Sequence, residues 1–371
     1  MKKVVYISGT RADFGLMRRT LLELANLLDL TIIATCMHLS PRFGSTVKEI
    51  EKDGLKIKKV DMLIDNDGLR AMVKSFGIGV YGITQAIEEI NPDLIFVEGD
   101  RGESLAGAIA GAHLNIPVVH HGGGDLGGSI DNKIRYAITM FSDYHLTGND
   151  ESRERLIKMG IPKERVFNVG EPGLDDIYAG DFTSKEKVIK KYGITPDKPL
   201  ILLIQHPNTE EYEDVEKQIK ETLGAIKEMK IQTVAIYSNA DAGGRIINET
   251  LDDHAKELNF LKVYPHIERR DFLGLMNICD VMVGNSSAGI VELPSFKKPF
   301  VYVGTRQKNR LKAGNVIDVG YSRDKIIGGI KRALYDKEFR EKLKSIKNPY
   351  GDGKASSRII KIISGILDGK L

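Results

Sequence analysis

The chain has 371 residues, 42% of them hydrophobic and 28% charged, with 54 Lys and Arg set against 51 Asp and Glu for a formal charge of +3. Spread without long single-sign runs, that balance excludes the electrostatic footprint of a nucleic-acid or membrane-surface partner, and at about 150 residues per domain the length implies two domains. The apolar run in MKKVVYISGT stops at Ser8 and no apolar stretch reaches about 18 residues, so neither a signal peptide nor a membrane span is expected, and a cytoplasmic protein is.

VVYIS (4–8) is the first predicted strand, and its unbroken apolar run is that of a strand buried on both faces. It leads into GTRADFG (9–15), where Gly9 permits a tight turn. Arg11 there puts a permanent charge at the start of a helix, a position that suits an anion, although a plain turn with a surface arginine has the same sequence. The amphipathic segment LMRRTLLELANLL (16–28) and the strand LTIIAT (30–35) follow. FGIGVYG (76–82) matches G-x-G-x-x-G but lies in a helical pattern with no strand before it. DLIFVEG (93–99) is a further buried strand, running into EGDRGES (98–104) and the helical SLAGAIAGAHL (104–114). Asp100 beside Arg101 is a candidate general base held ionised by a cation. Asp100 as a helix cap, with Glu103 completing a capping box, is the structural alternative.

IPVVHH (116–121) opens the stretch VVHHGGGDLGGSID (118–131). Its five glycines imply either a closely approaching ligand or a turned corner. It also matches G-x-G-x-x-G, but no acidic strand end follows at the distance a dinucleotide site needs. His120, His121, Asp125 and Asp131 are instead proton-transfer groups on a flexible backbone. Neighbouring histidines on a strand face opposite ways, no H-x-x-x-H or cysteine cluster supports them, and Cys36 and Cys279 sit in apolar contexts, so neither a metal site nor a disulfide is expected. DYHLTG (143–148) is the last strand of this half.

Periodicity breaks at GEPGLDDIYAGDFTSKE (170–186), which divides the chain into domains 1–172 and 173–371. Strands resume with PLILLIQHP (199–207), TVAIYSN (233–239), DVMVGNSS (280–287) and KPFVYVG (298–304). Two similar α/β halves are expected to form two Rossmann-like domains facing a cleft, with ligands bound beyond the carboxyl ends of the strands. At those ends stand His206 in QHPNTEE, Asn239 and Asp241 in YSNADAGGR, Ser286 and Ser287 in VGNSSAGIVELPSF, and Arg306 in GTRQKNR. The two serines at the mouth of a predicted helix suit a diphosphate, and Glu292, about one and a half turns along it, suits a ribose; an ordinary Asn/Ser cap is the alternative. The final helix, about 355–371, follows NPYGDGKA and is expected to pack back onto the first domain.

In this order, GTRADFG, EGDRGESLA, GSIDNKIRYAIT, QHPNTEE, NADAG, GNSSAGIVELPSF, GTRQKNR and NPYGDGKAS resemble the UDP-N-acetylglucosamine 2-epimerases, in particular the hydrolysing branch that forms N-acetylmannosamine for sialic-acid-type sugars. The resemblance implies a GT-B-type pair of Rossmann domains closing on a nucleotide sugar, a homo-oligomer (dimer or tetramer), and no metal or redox cofactor. It also implies roles. Arg11, Ser286, Ser287 and Arg306 would hold the diphosphate, Glu292 the ribose, and the backbone around His266 and Ile267 the uracil. Asp100 would be the base, Arg101 and Asn239 substrate contacts, His206 the catalytic histidine, and Asp131 and Arg135 part of the segment closing on the sugar. Where relatives carry Glu or His followed by Gly-Gly-Glu, this chain has Gly122, Gly123, Gly124 and Asp125, and Tyr136 replaces a histidine. A carboxylate is thus missing near 122, and His121, Asp125 and Asp131 are the candidates for the second acid or base. A non-hydrolysing epimerase, a GT-B glycosyltransferase and a non-catalytic nucleotide-sugar sensor are the competing readings.

Overall fold

The computed structural model describes residues 1–371, with thirteen strands in two separate, wholly parallel sheets. The first holds β1 (Lys3–Ser8), β2 (Asp29–Thr35), β3 (Lys56–Val60), β4 (Leu94–Glu98), β5 (Val118–His121), β6 (Tyr144–Thr147) and β7 (Val166–Asn168), in the order β3-β2-β1-β4-β5-β6-β7. The second holds β8 (Leu200–Ile204), β9 (Gln232–Ile236), β10 (Leu261–Tyr264), β11 (Val281–Gly284), β12 (Phe300–Tyr302) and β13 (Val316–Asp318), in the order β10-β9-β8-β11-β12-β13. Each is a doubly wound α/β sheet whose strand order reverses once, between β1 and β4 in one and between β8 and β11 in the other.

Alternate side chains of the central strands enter different apolar layers. Val4 and Tyr6 join one buried cluster and Val5 and Ile7 another, while Ile201 and Leu203 separate in the same way from Leu200, Leu202 and Ile204. Helices cover both faces, so the central strands read as continuous apolar runs. Four strands lack that signature, namely β3, β7, β10 and β13, and they are the four edges of the two sheets. Edge strands are short or half solvated; in KIKKV only Val60 is buried, and in VID only Ile317.

The chain crosses between lobes twice. After β7 it enters the helix Gly173–Ala179, whose Leu174 and Ile177 already belong to the core of the second lobe. It returns after Tyr350, which is fully buried in that same core, into the helix Ala355–Leu367, whose Ile359 and Ile363 are buried in the first lobe beside the helix Arg11–Ala25. The Asp175 carboxylate accepts the N–H groups of Ala355 (3.0 Å) and Ser356 (2.7 Å), capping that last helix from the first crossing. The two crossings lie side by side, since the N–H of Glu171 donates to the carbonyl of Tyr350 at 2.8 Å. No helix is long and apolar enough to span a membrane, and Cys36 and Cys279 are buried free thiols.

Because Ile363 is fully buried between the last helix and the first lobe, Ile363→Ala is expected to destabilise the fold by about 2–5 kcal/mol. The urea midpoint measures this; an unshifted midpoint would mean that the last helix contributes nothing to the first core.

Candidate active site

The two points of strand-order reversal face one another. The first lobe contributes the loops after β1 and β4, the second those after β8 and β11, and between them lies a cleft of about 260 Å³. The turn after β1 is fixed by a capping box. Thr10 Oγ1 accepts the Asp13 N–H at 3.2 Å while the Asp13 carboxylate accepts the Thr10 N–H at 2.8 Å. This aims Arg11, the first residue of the helix, at the cleft wall. Arg11 pairs with no carboxylate of the chain, whereas Arg101, Arg135, Arg306 and Arg310 all do.

After β4, Asp100 and Arg101 line the cleft from the turn. Arg101 Nε donates to Glu103 at 2.6 Å, and its Nη1 lies 3.5 Å from Asp241 of the other lobe. Arg135 donates one nitrogen to the Asp100 carboxylate and the other to the carbonyl of Gly122 at 2.8 Å. Burial pushes the Asp100 carboxyl up, but the guanidinium groups of Arg135, Arg306, Arg310 and Arg101 more than offset this and hold it below the usual carboxylate range. It is therefore an ionised acceptor on the cleft wall.

The second lobe supplies His206, Asn239, His266, Ser286, Ser287, Glu292 and Arg306 to the same cleft. Asn285 clamps His206 through a reciprocal pair of bonds, accepting its N–H at 2.7 Å and donating to its carbonyl at 2.8 Å. Burial, reinforced by Arg306 and Arg101, depresses the His206 pKa well below its ordinary value, so the ring is neutral. The Asn239 N–H donates to its Nδ1 at 3.3 Å, which leaves the ring proton on Nε2. His266 Nε2 lies 2.7 Å from Glu49 of the first lobe, and Glu292 lies 2.5 Å from Arg269.

A sequence model of the family described as UDP-N-acetylglucosamine 2-epimerase matches residues 21–364. The chain belongs to this family. It is 38% identical over 369 residues to the UDP-N,N'-diacetylbacillosamine 2-epimerase (hydrolyzing) of Legionella pneumophila, covering 99% of this chain and 96% of that relative. It is 37% identical over 322 residues to the GDP/UDP-N,N'-diacetylbacillosamine 2-epimerase (hydrolyzing) of Campylobacter jejuni, covering 85% and 84% of the two chains. Its fold matches the crystal structure of UDP-GlcNAc 2-epimerase from Neisseria meningitidis bound to UDP-GlcNAc, with a TM-score of 0.82 at 21% identity, covering 98% of this chain and 99% of that one. The two lobes thus have the GT-B-type arrangement of a nucleotide-sugar 2-epimerase.

Four of the residues expected in the site of this epimerase do not line the cleft: His121, Asp125, Asp131 and Ile267. Asp125, expected to transfer protons, is instead a buried structural carboxylate that accepts from Arg310 (2.7 Å), Asn149 (3.1 Å) and Ser152 (2.5 Å). Asp131 bonds Arg306 across the lobes at 2.8 Å, and burial, against the pull of Arg306, pushes its carboxyl up to about 6. His121 is fully buried, and the side chain of Ile267 is in the second lobe's core, which is compatible with the backbone contact expected of it. The capping box expected at Asp100 and Glu103 does not form, because Arg101 is the cap residue and both carboxylates are bonded to arginines. The helix expected after Ser287 is only Ala288–Val291, with a 3-10 turn following at Leu293–Phe296 where Pro294 ends the regular ladder. Glu292 therefore projects from the junction of the two. The glycines of 118–131 serve a close approach of the chain to itself across the lobes: a Cβ on Gly128 would meet the carbonyl of Thr305 at 2.1 Å, and the Gly128 N–H donates to the carbonyl of Arg306 at 2.9 Å.

Glu98, Glu171, Arg269 and Arg310 line the cleft without having been singled out from sequence. Glu98 stands at the strand end beside Asp100, which is the signal that marks it. Glu171 lies in the segment read only as a break in periodicity.

Since Arg11 has no partner in the protein, Arg11→Ala is expected to weaken UDP binding by about 10–100-fold, the equivalent of one charge-assisted hydrogen bond, while the unfolding midpoint stays put. Isothermal titration and thermal melting read the two sides. Asp125→Asn is expected to do the opposite, costing about 3–5 kcal/mol of stability by leaving Arg310 buried without its counter-charge. A folded, fully stable Asp125→Asn protein with abolished turnover would reinstate Asp125 as a reacting group.

Proposed function

We propose that the chain is a hydrolysing 2-epimerase that converts a UDP-linked 2-acetamido sugar and water into the free C2-epimeric sugar and UDP. UDP-N-acetylglucosamine and the diacetamido sugar in the names of the two relatives are the members of this class to test first. The observation that carries the reading is the division of labour among the groups that line one cleft. An unpaired guanidinium, Arg11, with Ser286, Ser287 and Arg306, suits an anion, and an arginine-flanked carboxylate, Asp100, suits a base acting on a sugar.

The chemistry follows from that division. The C2 proton of a sugar is weakly acidic, and its removal becomes feasible when the diphosphate leaves from C1 in the same step. Asp100 takes the proton, the C2–H electrons form the C1=C2 bond of a glycal, and the C1–O bond electrons depart with UDP. Arg11, Arg306 and the two serine hydroxyls stabilise the charge that develops on the leaving group, and the neutral His206 adds an Nε2–H donor. Asp131 orients Arg306 for this task. Protonation of the glycal at C2 from the other face and addition of water at C1 then complete the free epimer.

In heavy water, the expected products are UDP and a free sugar carrying deuterium at C2, followed by NMR. A deuterated nucleotide sugar without free UDP would instead make the enzyme non-hydrolysing, and sugar transfer without exchange at C2 would make it a transferase. Asp100→Asn should lower kcat by about 10²–10⁴-fold with KM little changed. Unchanged turnover by that variant would sink the assignment of the base.

A further inference from the structure

Epimerisation at C2 takes a proton from one face of the ring and returns it to the other, so one carboxylate is not enough. The following inference rests on the hydrolytic reading above and names the second group. His121 is fully buried and Asp125 and Asp131 are each bonded to an arginine, whereas Glu98 lines the cleft with no arginine paired to it. Its strand ends there, and Gly99, with φ of 76°, turns the backbone between Glu98 and Asp100. The segment facing Glu98 holds Gly122, at φ of 84°, and a Cβ built on Gly122 would stand 3.7 Å from Glu98 Oε1. A side chain at 122 would therefore start in contact with this carboxylate, and glycine leaves that side of it free.

Behind Glu98 is a group with unmet hydrogen-bonding capacity. His121 is its register partner across β4 and β5 and is fully buried. Its Nε2 donates to the carbonyl of Gly170 at 3.1 Å, while its Nδ1 is buried with no hydrogen-bond partner, 3.9 Å from Glu98 Oε1. Glu171, which also lines the cleft, is the second carboxylate whose charge bears on this imidazole. We propose that Glu98 is the second proton-transfer group of the reaction, delivering a proton to C2 of the glycal, and that His121 and Glu171 are positioning residues that hold and recharge it.

The step balances without a further reactant. The C1=C2 electrons take the proton from the Glu98 carboxyl, leaving a cation at C1 shared with the ring oxygen; water adds its oxygen to C1 and gives up one proton. The Glu98 carboxylate regains its proton from the His121 imidazolium, the imidazole takes up the proton that the adding water gives up, and Asp100 returns the C2 proton to solvent. Although burial opposes the charge, Glu171 and Glu98 raise His121 to about 9, so the imidazole holds a proton at neutral pH, and burial raises Glu171 to about 7.

The test compares wild type, Glu98→Gln and Glu98→Asp on a UDP-linked acetamido sugar in heavy water. With Asp100 intact, elimination continues. Glu98→Gln is expected to release UDP together with the unsaturated glycal, while the epimeric sugar forms at least about 100-fold more slowly and KM stays within about 3-fold. Glu98→Asp, with its carboxyl one methylene shorter, should recover part of the epimer and shift the ratio of glycal to epimer, and it serves alone if the Gln variant does not fold. Wild-type epimer formation by either variant overturns the proposal, as does a parallel loss of UDP and epimer with no glycal, which is the signature of a merely structural role. If wild-type enzyme itself releases no UDP and places no deuterium at C2, the hydrolytic reading fails first and this inference with it.

Discussion

Two ion pairs hold the molecule in its working shape. Arg306 and Arg310, both on the loop after β12, reach across to Asp131 and Asp125 in and beyond the glycine-rich segment after β5, at 2.8 and 2.7 Å. All four side chains are largely removed from water, so neither partner tolerates the loss of the other. Their mutual dependence fixes the separation of the two lobes at the cleft. It also explains how Arg306 is presented toward a ligand without collapsing onto Asp100, whose own counter-charge, Arg135, comes from the first lobe. The near-neutral charge of the whole chain gives no hint of this local crowd of guanidinium groups.

Against that background both lobes furnish the cleft with two kinds of group. Arg11, Arg101 and Arg135 enter from the first lobe and Arg306, Arg310, the two serine hydroxyls and the neutral His206 from the second. Glu98, Asp100 and Glu171 come from the first lobe and Glu292 from the second. Within a single small volume the protein thus sets permanently charged groups beside those whose protons can move, as Arg135 beside Asp100 shows. Arginine suits the first duty because it never titrates, and buried carboxylates and histidine suit the second because their protonation is set by surroundings.

Much of this was legible in the residues themselves. Central strands show as unbroken apolar runs because helices cover both their faces, and the loops that follow them carry Arg11, Asp100, His206, Ser286 and Arg306, all of which line the cleft. The four edge strands were not legible, since KIKKV or VFN looks no different from a loop without a partner to bond to. The destiny of Asp125 was also hidden: its neighbours Arg310, Asn149 and Ser152 are remote in sequence, so only the folded chain reveals that its carboxylate is already fully engaged. Glu171 escaped notice for the converse reason, because a linker reads as spacing until its side chain is seen in the cleft.

The paired crossings between lobes carry a mechanical consequence. A single connecting strand would act as a swivel, free to twist and slide. Here the polypeptide passes at 169–173 and again at 351–355, and the two passages are stitched together by the bond from Glu171 to Tyr350. Such a joint behaves like a door hung on two pins: it resists twist and shear, so the facing walls keep one registration.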